Sequence, residues 1–303
     1  LMPVKVLDKE IILNLPRAEK LDTPPNILSS DHDVWEIIDE VAEAVAYPSP
    51  ATVRVKPPAS GEKIEQPSHR DIIASQIIRQ RRSAVSMDGQ ARLSLEDFQL
   101  LLQRLLPHPN NPAFDLFQNR TAVSLMVMVH RVDGLQPGLY MLIRHPQHLD
   151  ELRNKTSDHW EWTQPEGLSS EVPLYFLGGG DLRDGARQLS CNQAIASDGV
   201  FSLGMLARFE ETLKLHGPQA YPELFRETGA IGQMLYLEAE AAGLRGTGIG
   251  CFFDDEVHRV LGLKDKSWQS LYHFTVGGAV DDGRLRTAEP YLQAKNIPNS
   301  GAF

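Results

Sequence analysis

From Ala122 to Val132 the chain reads AVSLMVMVHRV, an apolar and β-branched stretch that predicts a strand. Asp133-Gly134 and Pro137-Gly138 follow as turn signals, and Gly138 to Ile143 supplies a second run that alternates less cleanly. Turn chemistry between two such runs predicts an antiparallel pair. Val172 to Leu177 reads as a third strand, ended by Gly178-Gly179-Gly180. A sheet therefore has to stand near the middle of the 303-residue chain, with helices arranged around it.

Helical periodicity appears on both sides of these strands. Asp33 with Glu36 three residues later reads as an N-terminal cap, ahead of Val34, Ile37, Ile38, Val41 and Val45. Upstream, VKVL and IILNL suggest a strand pair; downstream, Pro48, Pro50, Pro57 and Pro58 read as a linker. Residues 1–67 are therefore an arm and linker, and 68–303 the main domain. In that domain Ser68 is the expected cap of a helix carrying Ile72, Ile73, Ile77 and Ile78. Ser94 with Asp97 caps a second helix through Phe98, Leu101, Leu102 and Leu105, stopped by Pro107 and Pro109. Phe201, Met205, Phe209 and Leu213 stand four apart and predict one helical stripe within 185–215. Gly217-Pro218 breaks that run, and Tyr221 to Ala242 reads as a second helix ending at Gly243. The expectation is a long helical hairpin that forms a spine or a dimer interface. A short helix, Asp254 to Leu261, then leads to a strand, Ser270 to Val276.

Composition narrows the function classes. Forty acidic against thirty basic side chains leave a formal charge of −10, which opposes nonspecific nucleic-acid binding. No apolar run is long enough for a membrane span, and the first residues carry no secretory pattern, so a cytoplasmic protein is expected. The two cysteines, Cys191 and Cys251, make no disulfide framework or CxxC site and read as buried small hydrophobes.

Three segments can carry chemistry. Arg79, Arg81, Arg82 and Ser83 end a helix, where guanidinium groups and a hydroxyl suit a phosphate or simply a solvated last turn. Gly246-Thr247-Gly248-Ile249-Gly250 has neither the P-loop lysine nor the order of a dinucleotide fingerprint; it is a backbone placed close to something flat, or a tight turn. Arg284 and Arg286 lie beside Asp281 and Asp282, so a phosphate contact and a surface ion pair both remain open. Asp254, Asp255, Glu256 and His258 lack metal-site spacing, and a helix cap by Asp254 or Asp255 accounts better for them. His130 reads as a polar lining residue of a strand.

Four pieces in this order, RQRRSA at 79–84, HRVDGLQPGLY at 130–140, GQMLYLEAEAAGLRGTGIGCFFDDEVHRVLGL at 232–263 and YHFTVGGAVDDGRL at 272–285, resemble the nitroreductase-like FMN flavoprotein superfamily. The likeness is strongest to its branch of SagB-type and thiazole/oxazole-forming dehydrogenases, and it covers roughly residues 70–290. The resemblance implies an α+β fold with an antiparallel sheet flanked by helices, a homodimer or pseudo-dimer, and FMN at the interface. It places Arg81, Arg82 and Ser83 at the flavin phosphate with Arg284 as a late basic residue. It sets Ile249, Gly250 and Cys251 beside the ring system, the Gly250 amide toward N5. A donor there suits a flavin, whose reduction brings a proton to N5 and negative charge near N1.

The implied activity is an FMN-dependent oxidoreductase that passes a hydride through N5, from NAD(P)H or an organic donor to a small organic acceptor. Two alternatives stay open. One is an azoline dehydrogenase of peptide modification. The other is a non-catalytic dimerisation or partner-binding domain, favoured by Val85 where the family has a basic residue and by NNPAFDLFQNR at 110–120 in place of a Ser/Gly-rich stretch. The arm at 1–67, which the resemblance does not cover, reads either as a wrap over a neighbour or another subunit or as the tail of an upstream repeat.

Overall fold

The computed structural model describes Ser29, Asp31 and residues 33–46, 72–107, 111, 113–114 and 121–288. The expected strand pair, the proline linker, Ser68 and the boundary near residue 67 lie outside the described residues. The chain divides into two units, Leu1–Ala42 and Glu43–Phe303. Helix α1, Glu36–Ala44, places Glu36 and Asp39 in its first turn, where carboxylates suit the helix dipole. Val34, Trp35, Ile37 and Ile38 around it are exposed.

The larger unit is built on one six-stranded antiparallel sheet: β1 (Val123–Val129), β2 (Gly138–Leu142), β3 (Leu174–Gly179), β4 (Phe201–Arg208), β5 (Arg245–Ile249) and β6 (Trp268–Gly277). The spatial order is β3-β2-β1-β4-β6-β5. The expected β1–β2 pair is present, with Val127 opposite Tyr140 and Val129 opposite Gly138. Every residue of β1 is buried because both faces of the sheet are covered. Leu125, Val127 and Val129 point into one apolar cluster, with Phe98, Leu203, Leu235 and Phe274. Met126 and Met128 point into a second, with Met141, Leu152, Leu189 and Val257.

Helices supply the two outer layers. The first cluster is roofed by α3 (Leu95–Arg104) and α8 (Ala220–Ala241); the second by α4 (Gln147–Lys155), α5 (Arg183–Leu189) and α9 (Asp254–Leu261). The cap of α3 forms as expected: the Asp97 amide donates to Ser94 Oγ at 3.0 Å. Phe98, fully buried, meets Phe201 edge-to-face with centroids 5.3 Å apart. Such a pair adds about 0.5–1.5 kcal/mol to the area it buries. Gly243, at φ 75°, follows the end of α8 as expected of a C′ glycine.

The long hairpin is corrected. Residues 201–208 are not helical but form β4, paired to β1 on one side and β6 on the other. A spacing of four is even, so Phe201 and Met205 share a face of a strand as readily as of a helix. The short helix α6 (Ala194–Asp198) lies before β4, and only α7 (Phe209–His216), turned at Gly217, leads into α8, so the two arms are unequal. The stripe expected at a dimer interface is core instead: Phe201 and Met205 are fully buried. Helix α2 spans Ala74–Gln80, so Ile72 and Ile73 precede it rather than lie in it. Helix α9 is preceded by Phe253 with no side-chain cap, and Asp254 and Asp255 lie in its first turn rather than capping it.

A buried ion pair ties α8 to the sheet. The Arg144 guanidinium pairs with Glu227, both side chains being almost wholly inaccessible. Glu227 Oε2 also accepts from the Ala122 amide at 2.9 Å, and Arg144 Nε donates to the Leu105 carbonyl at 2.7 Å.

Candidate active site along the outer edge of β5

Arg81 and Ser83 lie beside the glycine-rich stretch at one edge of the sheet. The segment after α2 runs alongside β5: the Ala84 amide donates to the Gly246 carbonyl at 3.2 Å, and Thr247 Oγ1 donates to the Ala84 carbonyl at 2.7 Å. That contact brings Arg81 and Ser83 beside the glycine-rich stretch from which they are separated by more than half the chain. The stretch is not a turn, as one reading had it, but an edge strand. Its glycines are required by what lies against them. A Cβ on Gly246 would come within 2.6 Å of the Phe274 ring, and one on Gly248 would run into the Tyr272 hydroxyl. Burial, with Tyr236 nearby, raises the Tyr272 pKa.

Tyr236, on α8, organises the edge and was not foreseen from the sequence. Its hydroxyl accepts from the Gly248 amide at 3.0 Å and shares a hydrogen bond with Ser83 Oγ at 2.8 Å. The Arg81 guanidinium lies over its ring, 4.5 Å from the centroid. The only sequence signal was its place twelve residues before Gly248 on the helix that leads into the strand, which is too weak to assign a role. Arg82 is used differently. Its Nη1 donates to the carbonyls of Arg79 and Arg81, at 2.9 and 2.8 Å, and Nη2 reaches Ala288 at 3.4 Å. It clamps the end of α2 to the late loop.

At the end of the strand Ile249 is buried in the second apolar cluster. Gly250 is exposed, its backbone is outside the left-handed region, and a Cβ there would meet nothing within 4 Å. Cys251 is exposed and disulfide-bonded to Cys191, with Cα atoms 5.7 Å apart. The two are therefore not buried free thiols: the sheet brings the turn after α5 against the end of β5, which spacing in the chain could not reveal. Arg284 is paired with Asp282, Nη2 to Oδ2 at 2.7 Å and Nε to Oδ1 at 2.9 Å, on an exposed side chain. That ion pair holds the Asp282 carboxyl below its ordinary range and raises Arg284. Among the described residues no contact joins Arg284 to Arg81 or Ser83.

His130 lies elsewhere, lining a cleft of about 450 Å³ with Arg131, Gln136, Asp181 and Arg183 that contains none of the predicted site residues. No group of described side chains could hold a metal ion. No described helix is long and apolar enough to cross a membrane.

A cationic group and a hydroxyl thus lie alongside an edge strand that ends in an uncovered glycine. The profile of the nitroreductase family matches residues 78–278, well over half the chain. The chain belongs to the nitroreductase family. The described antiparallel sheet flanked by helices is the family's α+β architecture, and flavin-mediated redox chemistry is the family's character.

Individual nitroreductase relatives are distant. A Methanocaldococcus jannaschii protein named "Putative nitroreductase MJ1384" is 30% identical over 59 residues, which are 20% of this chain and 30% of that protein. A solved nitroreductase-type structure from Anabaena variabilis superposes with a TM-score of 0.51 at 19% identity, over 68% of this chain and 38% of the other. The chain thus spans well under half the length of these two relatives. A chain of the E. coli microcin synthetase McbBCD complex gives a TM-score of 0.49 at 16% identity, over 80% of this chain and 87% of the other.

Proposed function

We propose that the protein is an FMN-dependent oxidoreductase that passes electrons from NAD(P)H or an organic donor to a small organic acceptor, working as a homodimer. What carries the reading is the juxtaposition on β5: Arg81 and Ser83 beside the strand, and Gly250 open at its end. These residues fit FMN. Arg81 is stacked on a ring rather than paired with a described carboxylate, so its donors remain available to a phosphate. Ser83 is exposed and adds a hydroxyl. The space at Gly250, which a side chain would fill, leaves room for a flat ring against the backbone.

In this reading Arg81 and Ser83 hold the phosphate, with Arg284 joining them once it leaves Asp282. Tyr236 fixes the Ser83 hydroxyl and the strand in mutual register. The backbone from Ile249 to Cys251 lies along the ring, and the Gly250 amide donates toward N5. Bound FMN supplies the two-electron chemistry, taking a hydride equivalent and passing it on. The chain's part is to bind, orient and offer a donor where charge develops. A second copy would cover the apolar surface next to the site, where Ile73, Ile78 and Val85 are exposed. Sedimentation at micromolar concentration should show a species of twice the chain mass.

Arg81→Ala should weaken FMN binding about tenfold or more, since a charged hydrogen bond contributes roughly 1.5–3 kcal/mol. Fluorescence titration of the apo-protein measures it, and unchanged affinity would remove Arg81 from the site. Gly250→Val tests the other end. Its backbone needs no positive φ and the added carbons meet open space, so the apo-protein should melt at nearly the wild-type temperature. Flavin reduction by NAD(P)H should fall by roughly 100-fold, the cost of a misplacement of about 1 Å. Stopped-flow reduction at the wild-type rate with FMN fully bound would refute the assignment.

A further inference from the structure

We propose that the Cys191–Cys251 disulfide is a redox-active centre, reduced in place to two thiols by the flavin bound beside Gly250. The proposal rests on the flavin reading above. Cys251 directly follows the open glycine, and its side chain is exposed while that of Cys191 is half-buried. The bond therefore lies at the surface of the candidate site. The sheet has an apolar core on each face apart from this bond.

Two further observations favour a pair that opens and closes. Cys191 and Asn192 both adopt left-handed backbone, at φ 52° and 59°, and only Trp162 among the other described non-glycine residues does so. Strain of this kind concentrates at functional positions. The two segments are also held together without the sulfurs. The Phe253 amide donates to the Leu189 carbonyl at 2.9 Å, and Gln193 Nε2 donates to the Cys251 carbonyl at 3.3 Å. Buried His273 anchors both sides: Ser190 Oγ lies 3.4 Å from its Nδ1, and the Phe252 ring stacks on it at 4.5 Å and 11°. When the bond breaks, the thiols remain side by side and can close again.

The step balances as a two-electron exchange. The donor is a dihydroflavin, which is oxidised and gives up two electrons and two protons. The S–S bond breaks, and each sulfur ends as a thiol.

The test uses FMN-loaded protein titrated anaerobically with dithionite, with thiols counted by alkylation and intact mass. Wild type should take up four electron equivalents per flavin and gain two alkylation adducts. Cys251→Ser, or Cys191→Ser if the first does not fold, should take up two. FMN-free protein under the same dithionite should keep its disulfide. A flavin that reduces fully while no adduct appears overturns the proposal and leaves the flavin reading standing. Adducts that form equally without FMN remove the flavin as donor, which also overturns it. Protein that retains no FMN brings down the flavin reading and, with it, the donor named here. Parallel equilibration with glutathione buffers then decides whether the pair is reactive at all, and a disulfide that stays intact there marks it as structural.

Discussion

Acidification from pH 7 to pH 4 is expected to unfold the protein, and three histidines are the cause. His130, His148 and His273 are all at least nine-tenths buried. Burial pushes His130 and His273 down to about 4. Burial first, then the electrostatic influence of His145, Arg208 and Arg144, pushes His148 down to about 3. In the unfolded chain each titrates near the ordinary value of about 6.5. The folded values are the lower ones, so between these limits the unfolded state binds more protons. Stability is therefore complete above about pH 6.5 and is lost as the pH falls, by up to about 1.4 kcal/mol per pH unit for each histidine. Three together approach roughly 4 kcal/mol per unit near pH 5, against a total of about 5–15 kcal/mol for a typical domain. Carboxylates held low, such as Asp265 at about 2 through Lys155 and Ser267, contribute their loss only at still lower pH. Circular dichroism and urea melts at intervals of half a pH unit would show the slope. His148→Phe, which keeps a ring edge-on to Trp268, should flatten it by one histidine's share. A denaturation midpoint constant from pH 7 to 4 would refute this.

Glu227→Ala should cost about 3–5 kcal/mol, the usual penalty for leaving one partner of a buried pair without the other. Arg144 cannot reach water: its side chain is wholly inaccessible, and burial already pulls its pKa down against the pull of Glu227. Removal of Glu227 also takes away the acceptor for the Ala122 amide at the start of β1. The loss would be read as a fall in urea midpoint. A second change, Arg144→Met, should recover part of it, because the uncompensated charge goes with it. A single Glu227→Ala within about 1 kcal/mol of wild type would mean that water already reaches the pair, contrary to its burial. The effect should extend to the candidate site. Glu227 and Tyr236 share α8, so loosening one end of that helix shifts the hydroxyl that registers Ser83 against Gly248.

What could be read from the sequence was local. Ser94 and Asp97 are three apart and make their bond within one turn, so the cap needs no tertiary context. The β1–β2 pair was equally legible, because its turn residues sit between the two runs. Helix and strand become indistinguishable where a strand is buried on both faces, as at 201–208, since no polar face remains to show the period. The glycines of β5 are explained only by the rings of Phe274 and Tyr272 on the neighbouring strand, which no spacing within the stretch reveals. Arg81, Ser83 and Gly250 were expected at a site only through family likeness, and the approach of residues 81–84 to β5 needed the sheet edge to be seen. The Cys191–Cys251 bond and Tyr236 depend on the same long-range contacts, and local pattern is silent about both.

The short stretch from Arg81 to Ala84 also acts as a guard rail. An uncovered edge strand offers its amides and carbonyls to any passing chain and invites aggregation by strand addition. Here the Gly246 carbonyl is taken by Ala84, and Ser83 is pinned beside the same strand through Tyr236. A ligand gripped by Arg81 and Ser83 would hold this rail in place, and a chain that lost it would free the rail to peel away. On the proposed reading, colloidal solubility and cofactor occupancy would both depend on the same four residues.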